Sequence, residues 1–149
     1  MITGGEEGVQ LTWMDVKIGD WVVTPRHGKP VEIQALWVRA LAAAAELAAQ
    51  FGEPAYAAQC RQDRARATES FRARFWYRTG GYLFDVVDGP MGDDASLRPN
   101  QIYALALDDR LVTEAQAKHI LQLVRERLLT PLGLRTLAPE DIRFCASYE

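Results

Sequence analysis

Apolar positions recur at the helical period from Ile33 through Leu36, Trp37, Ala40, Leu41, Ala44, Leu47 and Ala48 to Phe51, which predicts a helix. Its remaining positions include Ala42, Ala43, Ala45 and Ala49, so it is apolar nearly all round and is expected to be buried on most sides. Pro30 before it and Gly52 after it supply start and stop chemistry. A second helix is predicted from Glu53-Pro54, with Pro in the first turn, where a missing N–H costs nothing. Tyr56, Cys60, Ala67, Phe71 and Phe75 form its stripe, opposite Arg61, Asp63, Arg66, Glu69 and Arg72. It is expected to pack outside the first. Gly80-Gly81 breaks the pattern, residues 82–87 read as a short strand, and 88–96 as a polar loop. Pro99 opens a short helix through Leu105. Thr113-Glu114-Ala115-Gln116 is a capping box for a last helix with the stripe Ala117, Ile120, Leu121, Val124 and Leu128, ended by Pro131. Residues 1–10 and the tail from Gly133 carry no period and read as loop. The alternation of apolar and amphipathic helices predicts a mainly α chain with no βαβ pattern.

Composition narrows the class. A chain of 149 residues is the size of one domain. A net charge of -3 provides no basic footprint for nucleic acid and no polybasic patch for a membrane surface. The longest apolar run is too short to span a bilayer, and residues 1–10 lack the order of a signal peptide. Cys60 and Cys145 match no metal or redox spacing. Two thiols so far apart in the sequence fit a reducing compartment, so a cytoplasmic location is expected.

The chemistry concentrates in residues 11–32. Trp13, Asp15, Lys17, Asp20, Trp21, Arg26, His27, Lys29 and Glu32 are interleaved there with Gly and Pro. Residues 21–23 read as a short extended piece closed by Pro25 and a His27-Gly28 turn. Indoles among carboxylates and cations suit a cleft that grips a polyhydroxyl ligand. Each residue also has a plainer reading. Asp15 could cap the turn before Gly19, and Glu32 is a first-turn acid favoured by the helix dipole. Lys17 and Arg26 could be surface charges, and Trp13 and Trp21 core residues. Arg98, Asn100 and Gln101 cluster around Pro99, where forks and amides suit either hydroxyl recognition or helix-start chemistry. Asp85, Asp88, Asp93 and Asp94 lack the alternating order of a calcium loop, and no metal is expected.

Residues Leu11-Thr12-Trp13-Met14-Asp15, Gly19-Asp20-Trp21-Val22-Val23-Thr24-Pro25-Arg26, Gly28-Lys29-Pro30-Val31-Glu32-Ile33 and Ala35-Leu36-Trp37 resemble the glycogen debranching enzyme family. More closely, they resemble its amylo-α-1,6-glucosidase catalytic domain of the bacterial and archaeal type. Leu83-Phe84-Asp85-Val86-Val87-Asp88, Asp94-x-Ser96-Leu97-Arg98-Pro99-Asn100-Gln101 and Leu128-Leu129-Thr130-Pro131-x-Gly133-Leu134-Arg135-Thr136-Leu137 carry the likeness downstream. Gln34 and Val38-Arg39 depart from the family's usual Asn and Tyr-Asn. The resemblance implies an (α/α)6 toroid, of which this chain would be a central arc, so residues 1–149 read as a fragment of a single glycoside hydrolase domain.

It further implies hydrolysis of the α-1,6-linked glucose at a trimmed glycogen branch, by inversion and without a cofactor. Inversion needs a proton donor and a water-activating base about 6.5–9.5 Å apart. The resemblance assigns the acid to Asp15. It places the base in a segment that follows a His-Gln-Gly-x-x-Trp-Pro motif, which this sequence does not contain, so the chain alone is expected to be inactive. Trp13, Lys17, Trp21, Arg26, Glu32, Arg98, Asn100 and Gln101 are the expected substrate-binding residues. The expected partner is glycogen or a limit-dextrin oligosaccharide, with neither nucleic acid nor membrane. Exposed inner-helix surfaces are expected to cause self-association. A non-catalytic carbohydrate-binding or helical interaction module, and a glucoamylase- or trehalase-like hydrolase, are the alternatives.

Overall fold

The computed structural model describes residues 1–6, 8–9, 11–108 and 110–146; the end of the tail from Gly133 lies outside them. Four helices stand where the periods place them: α1 (Val31–Gln50), α2 (Pro54–Arg74), α3 (Ile102–Leu107) and α4 (Glu114–Arg127). Their ends follow local chemistry. Pro30 is the N-cap of α1, Pro54 opens α2, and Thr113 and Gln116 form the reciprocal capping box of α4. A single-turn 3-10 helix, Pro99–Gln101, leads into α3.

Before, between and after the helices the described residues form nine short strands: β1 (Lys17–Ile18), β2 (Trp21–Val22), β3 (Lys29–Pro30), β4 (Trp76–Tyr77), β5 (Tyr82–Leu83), β6 (Val86–Gly89), β7 (Gly92–Asp94), β8 (Leu129–Thr130) and β9 (Gly133–Leu134). They form antiparallel pairs β1-β2, β4-β5 and β8-β9, and a three-stranded sheet in the order β3-β6-β7. With 45% helix and 17% strand in four small sheets, the chain is not the mainly α, partial (α/α)6 toroid expected from its sequence. The cause is in the connections. Stretches read as irregular loop close into hairpins because their backbone N–H and C=O groups need partners and their turns carry glycine. Gly19, at φ 59, occupies the first turn position between β1 and β2, as a two-residue hairpin favours.

The core joins α1 and α2 to the start of α3 and to α4. Val31, Ala35, Val38, Phe71, Phe75, Leu111, Ile120 and Leu128 are buried in one cluster, and the rings of Phe71 and Phe75 stack at 4.4 Å. Helix α1 turns Val31, Ala35, Val38, Leu41, Ala42, Ala45 and Ala48 inward. Much of the stripe picked out by sequence faces the other way: Leu36, Leu47 and Phe51 are exposed, Phe51 at 80%. An exposed apolar stripe of this kind is expected to associate. Light scattering at micromolar concentration should show species above the monomer mass, fewer of them in a Leu36→Glu/Leu47→Glu variant. A sharp monomer peak from the unsubstituted chain would overturn the expectation. Among the described residues, no helix is long and apolar enough to cross a membrane.

Candidate functional site

The site is assembled where three segments meet beneath the N-terminus of α1. The turn that follows β2 delivers Arg26; the first turn of α1 delivers Glu32, six residues on; and the link between β5 and β6 delivers Asp85. Strand β3 pairs with β6, Lys29 opposite Val87, and runs straight into α1, whose Val31 N–H donates to the Asp85 carbonyl at 3.0 Å. That pairing brings Arg26 and Asp85, 59 residues apart in the chain, into contact.

Arg26 is the hub. It is 4% exposed, and its guanidinium donates to both carboxylate oxygens of Glu32, at 2.7 Å to Oε2, and to Asp85 Oδ2 and Oδ1 at 2.9 and 3.0 Å. The Asn100 amide donates to Asp85 Oδ1 at 2.8 Å, and Arg98 Nε lies 3.5 Å from Asp85 Oδ2. Two guanidinium groups and two carboxylates thus share one buried cluster with their formal charges balanced, which such burial demands. Burial would lower the pKa of Arg26, but Glu32 and Asp85 outweigh it and raise it. Burial pushes the Asp85 carboxyl up, against the opposing pull of Arg26, Arg98 and Asn100. Burial also lowers the pKa of Arg98, which Asp85 partly offsets.

The cluster reaches the surface through Asn100. Its carbonyl oxygen accepts the Trp13 indole N–H at 3.0 Å, and its amide approaches the Met14 sulfur at 3.4 Å. Met14 is buried, while Trp13 and Asp15 on either side of it are exposed. The segment 13–15 is therefore pinned at two side chains, with the Asp15 carboxylate on the solvent side. One residue further on, the Val16 carbonyl accepts the Val23 N–H at 3.1 Å, which ties the segment to the strand carrying Trp21.

The residues singled out by sequence fall into three groups. Arg26, Glu32, Asn100 and Trp13 share the network. Arg98 sits at its edge, bonded to the Thr136 carbonyl at 3.0 Å, and lines with Trp21 a cleft of about 620 Å³. Lys17 is exposed on β1 opposite Val22, and Gln101 is buried on separate work: its amide donates to the Arg98 carbonyl and its oxygen accepts the Leu83 N–H. Neither Asp15 nor Gln101 lines the cleft of Trp21 and Arg98.

Asp85 stands out in the sequence only within the Leu83–Asp88 motif and as one of four acids weighed for a calcium ion, not as a site residue. Those acids are instead answered by cations: Asp88 by Lys29 and Arg74, Asp93 by Arg74, and Asp94 by Arg143. A signal was present, because Asp85 is the one charge in the apolar run 83–87, and a charge buried in such a run needs a partner. A model of the amylo-alpha-1,6-glucosidase family matches the chain over residues 1–149. With that match spanning the segments that deliver Trp13, Arg26, Glu32, Asp85 and Asn100 to one network, the chain belongs to the amylo-alpha-1,6-glucosidase family, as a glycosidase-related domain of the glycogen debranching type.

Proposed function

We propose that this chain carries the proton-donating half of an inverting glycosidase site that acts on α-1,6-glucosidic branch linkages. Asp15 is the general acid, and the water-activating base comes from a carboxylate outside residues 1–149. The supporting observation is the anchoring of Trp13 and Met14 on Asn100 before Asp15 and of the Val16 carbonyl on the Val23 N–H after it, which leaves the exposed carboxylate open to a ligand.

In the reaction, Asp15 gives its proton to the glucosidic oxygen as the bond to the anomeric carbon breaks, and water activated on the opposite face forms the new bond. Trp13 and Trp21 offer exposed indole faces for sugar rings. Arg98 and Lys17 supply donors to hydroxyls. Arg26, Glu32 and Asn100 set the geometry from below, and Gln101 fixes the backbone of Arg98.

Carbohydrate binding without hydrolysis is the second reading, favoured by the exposure of Asp15 in the unliganded chain. A ligand panel tests the first. Calorimetric titration with an isomaltosyl-branched dextrin, linear maltosaccharides and trehalose should show the branched ligand bound about tenfold or more tightly than the others. Equal affinity for all three would remove the α-1,6 assignment.

A further inference from the structure

The pair Arg143 and Asp94 lies at the boundary of two clefts and has no part in the network beneath Asp15. Arg143 donates to Asp94 Oδ1 at 3.1 Å, to Asp141 Oδ1 and Oδ2 at 3.0 Å each, and to the Ser96 hydroxyl. Ser96 in turn donates through its N–H and its hydroxyl to Asp94 Oδ1, at 3.0 and 2.5 Å. Burial would raise Asp94, but Ser96 and Arg143 outweigh it and hold the carboxyl below its usual range. The pair is therefore a fixed, ionised clasp that joins the tail to β7.

On one side of the clasp is the cleft of about 620 Å³ that holds Trp21, Phe144 and Arg98; on the other is one of about 660 Å³ that holds His27 and Met91. Asp94, Arg143 and Pro25 line both. The first cleft reaches Val23, whose N–H is bonded to the residue after Asp15. Two clefts that meet at a charged divide, one of them lined by a residue hydrogen-bonded to Val16, match the shape of a branched glucan. At a branch point the unbranched chain leaves in two directions while the α-1,6-linked glucose leaves in a third.

Resting on the function proposed above, we propose that the Arg143–Asp94 clasp is the saddle over which the unbranched glucan chain lies. One arm occupies the Trp21 cleft and the other the Met91 cleft, with the α-1,6-linked glucose toward Asp15. A planar guanidinium beside a carboxylate offers donors and acceptors to neighbouring hydroxyls, and charged groups make the stronger hydrogen bonds. The indole of Trp21 and the ring of Phe144 supply apolar faces for the sugar ring in the first arm.

The test compares two ligands by calorimetric titration: isomaltose, which has no arms, and a branched tetraose, a maltotriose whose middle glucose carries one α-1,6-linked glucose. Arg143→Ala and the near-isosteric Asp94→Asn should each weaken the branched tetraose by about tenfold or more and leave isomaltose unchanged. The side chain of Arg143 is 54% exposed, and thermal unfolding of both variants checks that the fold is intact. Equal weakening of both ligands, or of neither, overturns the saddle. If the unsubstituted chain binds the tetraose no better than isomaltose, the arms are unoccupied and the saddle falls while the α-1,6 site stands. If it binds neither, the function proposed above fails first and carries the saddle with it.

Discussion

Arg26→Met should destabilise the chain by about 3–5 kcal/mol, because it leaves two buried carboxylates without their shared cation. Met keeps much of the length of the side chain, so the loss is one of charge and hydrogen bonds more than of volume. Set against a typical domain stability of about 5–15 kcal/mol, that is enough to unfold a large fraction of the protein. Glu32 and Asp85 are each 2% exposed and have no water to turn to.

The penalty should depend on pH in a defined direction. Burial holds the folded-state pKa of Asp85 above the ordinary aspartate range even with Arg26 present. An acid with a raised folded pKa costs stability above that pKa, where both states are ionised. The cost fades as pH falls through the folded value toward the unfolded one. Denaturant unfolding of Arg26→Met at a series of pH values should therefore show a deficit that shrinks on acidification over that window. Adding Glu32→Gln and Asp85→Asn to Arg26→Met should recover much of the loss, since neutral groups no longer need the guanidinium. A deficit below about 1 kcal/mol, the centre of the range for ordinary substitutions, would show that the network is not the keystone its geometry suggests.

Asp15→Asn should have the largest effect on chemistry with almost none on stability. The side chain is exposed, so an isosteric amide is expected to change unfolding by no more than about 0.5 kcal/mol. Turnover is measured with azide standing in for the base that the proposal places outside residues 1–149. Azide attacks the anomeric carbon of an isomaltosyl branch from the face opposite the leaving group. The carbon–nitrogen bond forms, the bond to the glucosidic oxygen breaks, and Asp15 supplies the proton that this oxygen takes up. The product is the β-glucosyl azide, and Asp15 is reprotonated from water. Asn cannot supply the proton, so azide-dependent product should fall about 100- to 10,000-fold. An unchanged rate in Asp15→Asn removes Asp15 from the acid role. Absence of the azide product from the unsubstituted chain, with branched dextrin still bound, favours binding without hydrolysis.

How much of this could be read without coordinates depended on the range of the interaction. Helices α1, α2 and α4, their caps and the capping box of Thr113 and Gln116 are local properties, and periodicity with turn chemistry was enough to find them. Periodicity failed on which side of α1 is buried. A helix with apolar residues nearly all round gives no preferred face, so packing against α2 made the choice. Of the two-residue strands, β2 and β5 fall in the stretches read as extended, 21–23 and 82–87, and the others are too short for an alternating pattern to register. The site divides the same way. Arg26 and Glu32 lie within one short stretch and could be singled out together, but Asp85, 59 residues from Arg26, stood among three other acids.

From the chain alone came the helices, the membership of its motifs in one family and most of the polar residues at the site. The tertiary structure alone decided that hairpins fill the connections, which face of α1 meets solvent, and that Asp85 lies at the centre of the site. Local preference is written in neighbouring side chains. The partner of a buried charge is known only when strand pairing has brought distant segments within hydrogen-bonding distance.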